Sequence, residues 1–311
     1  MATHGSCSRR QLLKATVGAA GLALGTPLWR AVAAAQSATS GADVQRLNDD
    51  LFLIRIPGEA NVIAHTTADG VVLVDGVSAG ASEKLMQAVA SLPGGRPVQT
   101  IFNTHWHPEQ TGSNEALGKA GRTIIAHENT RLWLTTDVIW PWNGKRFPRA
   151  PKVAQPNKTF YTTGESSGVR YGYIPDAAHT DGDMYVFFPA QNVLAVGDAV
   201  SGDGWPVVDY ATGGWIGGVV GGLQRLLAVA NADTRVVPAR GRVLGAADLK
   251  SQFDMYAKIY DRLTTLLNKG RSPGEAVAAK PTAEFDAQMG NPDEFVRRAF
   301  ESLWGYLSPD A

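Results

Sequence analysis

The chain contains 311 residues, of which 44% are hydrophobic and 19% charged, and its 29 basic residues equal its 29 acidic ones in number. This length and apolar content are sufficient for one large packed α/β domain, and the balanced charge argues against a nucleic-acid-binding protein. The 34 glycines and 17 prolines favour many short turns over long helices.

Residues 1–35 have the pattern of an export signal. Arg9 and Arg10 begin a basic segment, which is followed by an uncharged stretch rich in Gly and Ala and then by an A-x-A-like cleavage site. The arginine pair resembles the twin-arginine export signal. We therefore expect cleavage near Ala35, export of the folded protein by the twin-arginine machinery, and a periplasmic or secreted location.

An N-terminal membrane anchor is the alternative for this segment. Its uncharged stretch, residues 15–29, is shorter than the about 20 apolar residues that span a bilayer. We therefore expect no stable membrane span after cleavage. Cleavage would also remove Cys7, the single cysteine, and would leave the mature protein without a thiol ligand or a disulfide.

Strands and helices alternate along residues 36–311, which we expect to fold as a single α/β domain. Apolar runs bounded by turn residues predict the strands. They cover residues 44–56, 61–66, 71–75, 98–102, 123–126, 169–174, 184–188, 193–196 and 234–237. Apolar residues spaced by three and four predict the helices. They cover residues 82–91, 114–119, 128–135 and 221–230, with a helical C-terminal part at 248–309.

Residues 139–160 show little periodicity and are predicted to form a loop insertion. The segment contains Trp140, Trp142, Phe147 and Phe160, together with five basic residues and no acidic one. An aromatic, basic loop beside an active site could be a lid for an anionic or aromatic substrate. A surface loop held by its prolines is the alternative.

A metal-ligand pattern follows the predicted strand at 98–102. His105 and His107 are spaced i, i+2, so at a strand end their side chains point to the same side, and Glu109 follows two residues later. His179 and Asp198 also come directly after predicted strands. Because ligands of a catalytic metal are commonly presented by loops at one rim of a scaffold, we expect these two histidines, His179 and Asp198 to form one metal site.

Two further histidines, His65 in a predicted strand and His127 directly after one, match no ligand position. We expect both to have structural roles.

The order of these residues resembles the metallo-β-lactamase-fold superfamily. That family has a His-x-His-x-Asp-His motif after a strand, then a His before Thr-x-Gly, then an Asp or Cys at a strand end and a late Gly-His-Gly. The corresponding segments here are His105-Trp-His107-Pro-Glu109-Gln110, His179-Thr-Asp-Gly, Val-Gly-Asp198 and Ala-Arg240-Gly. The resemblance implies a four-layer αββα sandwich and a first metal held by His105, His107 and His179.

The departures from the family motif affect the second metal. Where the family has an Asp, a second His and a late His, this chain has Glu109, Gln110 and Arg240, with Asp198 at the bridging position. Gln is a poor ligand, and the guanidinium of Arg has no lone pair to donate. We therefore predict one tightly bound metal, with Arg240 supplying a fixed positive charge and Glu109 pairing with it. A two-metal site remains the alternative.

Three imidazoles and one water would form an open tetrahedral zinc site, at which the pKa of the water falls to about 7. Glu109 could accept a proton, and Arg240 could bind a substrate carboxylate or stabilise an oxyanion. Asp198 could be a fourth ligand or an acceptor for a ligand histidine. The predicted function is an exported zinc hydrolase that cleaves an ester, a lactone or an amide, including a β-lactam, in a small-molecule substrate.

Two other functions are compatible with the same residues. One is a mononuclear iron oxygenase acting on a sulfur compound, since the superfamily also includes such enzymes. The other is a non-catalytic, metal-binding accessory protein with the same fold. The sequence leaves the substrate, the identity of the metal and the oligomeric state open.

Overall fold

Fifteen strands occur within residues 41–307, the part of the chain that the structure, a computed structural model, describes. They are β1 Asp43–Arg46, β2 Leu51–Arg55, β3 Val62–Thr67, β4 Gly70–Val74, β5 Val98–Phe102, β6 Thr123–His127, β7 Val138–Ile139, β8 Arg146–Phe147, β9 Lys158–Phe160, β10 Thr163–Ser166, β11 Val169–Tyr173, β12 Met184–Phe188, β13 Val193–Gly197, β14 Arg235–Pro238 and β15 Leu244–Gly245. The predicted export signal at 1–35 lies outside the described residues.

Nine α-helices occur within the same residues. They are α1 Ser82–Ala90, α2 Pro108–Thr111, α3 Asn114–Lys119, α4 Glu128–Leu134, α5 Ile216–Val229, α6 Ala246–Asn268, α7 Pro273–Ala278, α8 Asp286–Met289 and α9 Asp293–Leu307. Between residues 41 and 307, no helix has both the length and the apolar character needed to cross a bilayer.

The strands form two large mixed sheets. The first has the order β1-β2-β3-β4-β5-β6-β9, antiparallel from β1 to β4 and parallel from β4 to β9. The second has the order β10-β11-β12-β13-β14-β15, in which only β13 and β14 are parallel. A separate two-stranded hairpin joins β7 and β8.

Strand β4 shows how the apolar pattern builds the layers. Successive side chains of a strand point to opposite faces, and both faces of β4 are buried. Val72 and Val74 belong to the core between the two sheets, whereas Val71 and Leu73 belong to the core beneath the helices. A continuous apolar run is therefore what this central position requires.

Helices cover the outer face of each sheet. On the first sheet, Leu85 of α1 and Leu117 of α3 share one core cluster with Ile101 of β5. On the second sheet, α5, α6 and α9 contribute the largest part of a second cluster, which also contains Leu194 of β13. The layers are helix, sheet, sheet and helix, and the predicted four-layer αββα sandwich is confirmed.

Three predicted elements differ from the structure. The strand predicted at 44–56 is a pair, β1 and β2, joined by a turn of four residues. The helix predicted at 221–230 begins earlier, at Ile216, and the pattern missed its first turns because their glycines are poor helix formers. The segment 139–160 contains β8 and β9, and β9 is the edge strand of the first sheet. Such short elements carry too few residues to show a period.

One of the glycines in α5 positions the later site. A Cβ atom on Gly218 would collide with the carbonyl oxygens of Asp176 and Ala177. Glycine therefore lets α5 approach the turn between β11 and β12 closely. That turn carries His179.

Candidate metal centre

The four predicted metal ligands come from three places that meet at one rim of the two sheets. His105 and His107 follow β5, Asp198 follows β13, and His179 lies between β11 and β12. One ligand atom from each residue can be chosen so that all four lie within 4.8 Å of one another. The three histidines are buried and Asp198 is partly exposed. The structure therefore brings together every residue that the sequence assigned to the metal.

Close contact between the sheets makes this convergence possible. Gly197, the last residue of β13, has a φ of 56°, a conformation that favours glycine. A Cβ atom at this position would also collide with the side chain of Thr104, the residue before His105. Glycine thus allows the ends of β5 and β13 to meet.

Each ligand histidine is held through the ring nitrogen that faces away from the cluster. His179 Nδ1 lies 2.7 Å from the carbonyl oxygen of Val207, which can only accept, so Nδ1 carries the proton. His107 Nε2 lies 2.9 Å from Asp209 Oδ2. His105 Nδ1 lies 3.2 Å from the hydroxyl of Thr104.

The hydroxyl of Thr104 donates to Asp75 Oδ2 at 2.8 Å, so it is free to accept from the ring of His105. In all three imidazoles the lone pair therefore lies on the nitrogen that faces the cluster. Outer partners of this kind fix the tautomer and the ring orientation of metal-binding histidines.

The inner nitrogens fit a metal ion. His179 Nε2 and His107 Nδ1 are 3.1 Å apart with their lone pairs facing each other, and His105 Nε2 is buried without a hydrogen-bond partner among the described residues. Two nitrogens bound to tetrahedral zinc at 2.0–2.1 Å would be about 3.3 Å apart. A cation shared by the three nitrogens would satisfy all of them.

Burial and charge favour the protonation states that metal binding needs. Burial lowers the pKa of His105 well below its ordinary value, and the proximity of His179, His107 and Arg240 disfavours a further proton there. His105 is therefore neutral at pH 7. Burial opposes ionisation of Asp209, but hydrogen bonds from His107 and Thr212 outweigh it and hold the pKa of Asp209 below its ordinary value.

Gln110 and Arg240 both approach the carboxylate of Asp198. Gln110 Nε2 donates to Asp198 Oδ2 at 3.1 Å, and Arg240 Nε lies 4.0 Å from Asp198 Oδ1. The same Oδ2 lies 3.5 Å from His105 Nε2. The Arg240 side chain is 46% exposed. Gln110 and Arg240 thus both face the carboxylate that bridges two metals in the resembled family.

The predicted pairing of Glu109 with Arg240 is wrong. Glu109 lies in the first turn of α2 and is partly exposed. Among the described residues, Arg240 has its ion pair with Asp198 and none with Glu109. The sequence placed the two charges in one site, but their separation depends on how α2 packs, which residue types do not reveal.

The two remaining histidines make structural contacts away from the cluster. His65 Nε2 bonds to Asp50 Oδ2 at 3.2 Å. His127 Nδ1 accepts from the backbone N–H of Asn129 and caps α4, while its ring stacks on Tyr173 at 3.7 Å. Neither side chain belongs to the cluster.

Sequence reasoning missed Asp209, which is fully buried and bonds to His107. It lies in the glycine-rich stretch after β13 and caps a short 3-10 turn at 210–212 through the N–H of Ala211. Apart from this possible capping role, the local sequence gave no reason to expect Asp209 in the site. An Asp in a loop is usually exposed.

The insertion is a packed hairpin rather than an irregular loop. Phe147 and Val138 form a small core with Trp106, which lies between the two motif histidines. The indole of Trp140 donates to Asp209 at 3.2 Å, and its ring lies 5.3 Å from that of His107. The insertion therefore lies directly beside the metal cluster.

The family model of the metallo-beta-lactamase superfamily matches residues 55–241, a span that contains all four cluster residues and Arg240. No curated protein matches the chain significantly.

Many solved structures share the fold. The metallo-beta-lactamase from Pontibacter korlensis is 21% identical and has a TM-score of 0.55, over 70% of this chain and 99% of that chain. The DIM-1 metallo-beta-lactamase is 18% identical with a TM-score of 0.57, over 70% and 97%. The metallo-beta-lactamase from Hirschia baltica is 18% identical with a TM-score of 0.55, over 69% and 97%. At these identities the likeness is one of fold.

Proposed function

The chain belongs to the metallo-beta-lactamase superfamily, and we therefore propose that it is an exported metal-dependent hydrolase of a small-molecule ester, lactone or amide, β-lactams included. The observation that carries the proposal is the convergence of three histidine nitrogens whose outer partners fix their lone pairs toward one point. Neutral imidazoles in this arrangement are typical ligands of catalytic zinc. Export is inferred from the pattern of residues 1–35.

The three histidines would hold the ion, and Asp198 would be its fourth ligand or the acceptor beside it. When bound, a zinc ion acts as a Lewis acid on a carbonyl oxygen and acidifies water. We expect one tightly bound ion, because Gln110 and Arg240, which stand where the resembled family has ligands of a second metal, both approach Asp198 and neither is a good ligand.

Two further residues have roles in the proposed reaction. Arg240 is a partly exposed cation at the rim of the cluster, where it would bind a carboxylate of the substrate or the oxyanion that develops on its carbonyl. Glu109 lies in the first turn of α2, two residues after His107, where it would accept a proton during attack by water. The indole of Trp140 packs against the ring of His107 and gives the site an apolar wall on that side.

Elemental analysis of the purified chain, combined with a panel of ester, lactone and β-lactam substrates, tests the proposal. We expect one zinc per chain and hydrolysis of at least one substrate class. His105→Ala should lose both, whereas His65→Ala, which changes a histidine outside the cluster, should keep both.

Three results would contradict the proposal. Iron in place of zinc, with substrate-dependent oxygen consumption, would identify an oxygenase. Metal binding without turnover of any substrate would indicate an accessory protein. Hydrolysis that survives His105→Ala would place the reaction elsewhere in the molecule.

A further inference from the structure

Aromatic and cationic side chains pack together at the turn of the hairpin β7–β8. Lys145 Nζ lies 5.2 Å from the centre of the Trp140 ring, and Trp140 stacks on Trp142 at 5.0 Å with 28° between the rings. The guanidinium of Arg298, from α9, lies 5.0 Å from the centre of the Trp142 ring. Because cation–π contacts and offset stacking favour one geometry, this column places Trp140 in a defined position.

Three side-chain donors meet on a single carboxylate oxygen next to this column. Asp209 Oδ2 lies 2.9 Å from His107 Nε2, 2.7 Å from the hydroxyl of Thr212 and 3.2 Å from the indole nitrogen of Trp140. The other oxygen accepts from the N–H of Ala211 at 3.1 Å. An indole can only donate and a carboxylate can only accept, so the direction of the Trp140 bond is certain.

The neighbours of Thr212 also determine which hydrogen bond its hydroxyl donates. It accepts from the indole of Trp106 at 3.0 Å, so its own hydrogen is available for Asp209. Two of the three donors to Asp209 Oδ2 therefore stabilise the carboxylate independently of His107. A buried carboxylate oxygen needs such donors, because a buried polar atom without a hydrogen bond is costly.

We propose that Trp140 is a positioning residue for His107: through Asp209, the insertion orients the imidazole that faces the metal. The indole N–H helps keep Asp209 as a fixed acceptor, and Asp209 keeps the proton of His107 on Nε2 and its lone pair on Nδ1. The insertion is then a supporting wall of the metal centre rather than a mobile lid. This inference rests on the metal centre of the proposed function.

Trp140→Phe tests the role, because phenylalanine keeps an aromatic ring for Trp142 and Lys145 but has no N–H. We expect the affinity for Co²⁺, measured by competition with a chelator, to fall about tenfold, the lower end of the range for outer partners of metal ligands. The visible absorption of the Co²⁺-loaded protein should also shift, since the His107 ring would reorient.

Trp142→Phe is the matched control in the same hairpin. Trp142 stacks on Trp140 and on Tyr210 but makes no hydrogen bond to Asp209. Its variant should bind Co²⁺ with wild-type affinity and spectrum. Equal losses in the two variants would overturn the proposal, because loosening of the hairpin would then explain both.

A double-mutant cycle separates action through Asp209 from general packing. If Trp140 acts through Asp209, the effects of Trp140→Phe and Asp209→Asn on Co²⁺ affinity will be less than additive. Additive losses would overturn the proposal. Thr212→Val removes another donor from the same oxygen, and its loss of Co²⁺ affinity should be similar to that of Trp140→Phe. Because Thr212 lies outside the hairpin, this variant tests the proposal even if Trp140→Phe or Asp209→Asn folds poorly.

The outcome for His107→Ala distinguishes the two proposals. If Co²⁺ binding survives in His107→Ala, the metal centre is wrong and the proposed function fails with it. If His107→Ala abolishes binding while Trp140→Phe leaves affinity and spectrum unchanged, only the role of Trp140 is refuted.

Discussion

The two sides of the metal cluster are built differently. On the histidine side, three buried rings each have their outer nitrogen held at 2.7–3.2 Å by an oxygen acceptor. On the arginine side, Arg240 is 46% exposed and its Nε lies 4.0 Å from Asp198 Oδ1. The side-chain oxygen of Gln110, Oε1, has no hydrogen-bond partner among the described residues. The first side is preorganised for a cation, and the second brings positive charge and an amide donor to the same carboxylate.

The difference separates residues that can coordinate a metal from residues that can supply only charge or hydrogen bonds. A metal ligand needs a free lone pair, so the histidine side works only if its tautomers are fixed. A guanidinium supplies charge without coordination. Changes on the histidine side should therefore lower metal binding, whereas changes on the arginine side should alter substrate binding.

The largest effect is expected from His179→Ala. At zinc concentrations about 1,000 times the dissociation constant, binding should stabilise the wild-type fold by about 4 kcal/mol, and His179→Ala should abolish that gain. Urea unfolding with zinc and with a chelator measures it. Arg240→Ala, on the other side of the cluster, should keep this zinc-dependent stabilisation. If both variants lost it, the two sides would not differ in their contribution to metal binding.

A smaller effect, on the chemical step, is expected from Glu109→Gln. Removing a proton acceptor typically lowers kcat about 100-fold or more, whereas the zinc content should stay that of the wild type. Steady-state kinetics and elemental analysis measure the two quantities. Glu115→Gln is the control, because Glu115 is ion-paired to Lys119 on the neighbouring helix α3. A kcat within threefold of wild type would remove Glu109 from the mechanism.

The smallest effect is expected from Arg240→Ala on substrate binding. A hydrogen bond to a charged group contributes about 1.5–3 kcal/mol, so KM for an anionic substrate should rise about tenfold or more. KM for a neutral analogue should change little. Arg242→Ala serves as the control, since Arg242 is paired with Asp248. An equal rise in KM for both substrates would show that Arg240 does not recognise charge.

Much of the fold could be read from local patterns. The strand 98–102 and the helix 114–119 have the predicted bounds, because apolar residues at strand or helix spacing report which face is buried. The insertion at 139–160 could not be read in this way, since its strands β7 and β8 have two residues each and depend on contacts with Trp106.

The ligand histidines could be found because chemistry limits their residue type and because strand ends limit their position. Their outer partners could not be found. Val207 contributes a backbone carbonyl, for which any residue would serve, and Asp209 reaches His107 across about a hundred residues of chain. Residue type predicts whether a side chain can bind a metal or form a hydrogen bond, and packing determines which partner it contacts.

Ligand chemistry and spacing in the sequence were enough to predict the four residues of the cluster, and the resemblance to a known family implied the sandwich fold. The packing of the folded chain determines that Glu109 and Arg240 form no ion pair, that Gln110 bonds to Asp198, and that Trp140 reaches Asp209. These contacts depend on differences of a few ångströms in how loops and sheet ends pack, and hydrogen bonds form only within such limits.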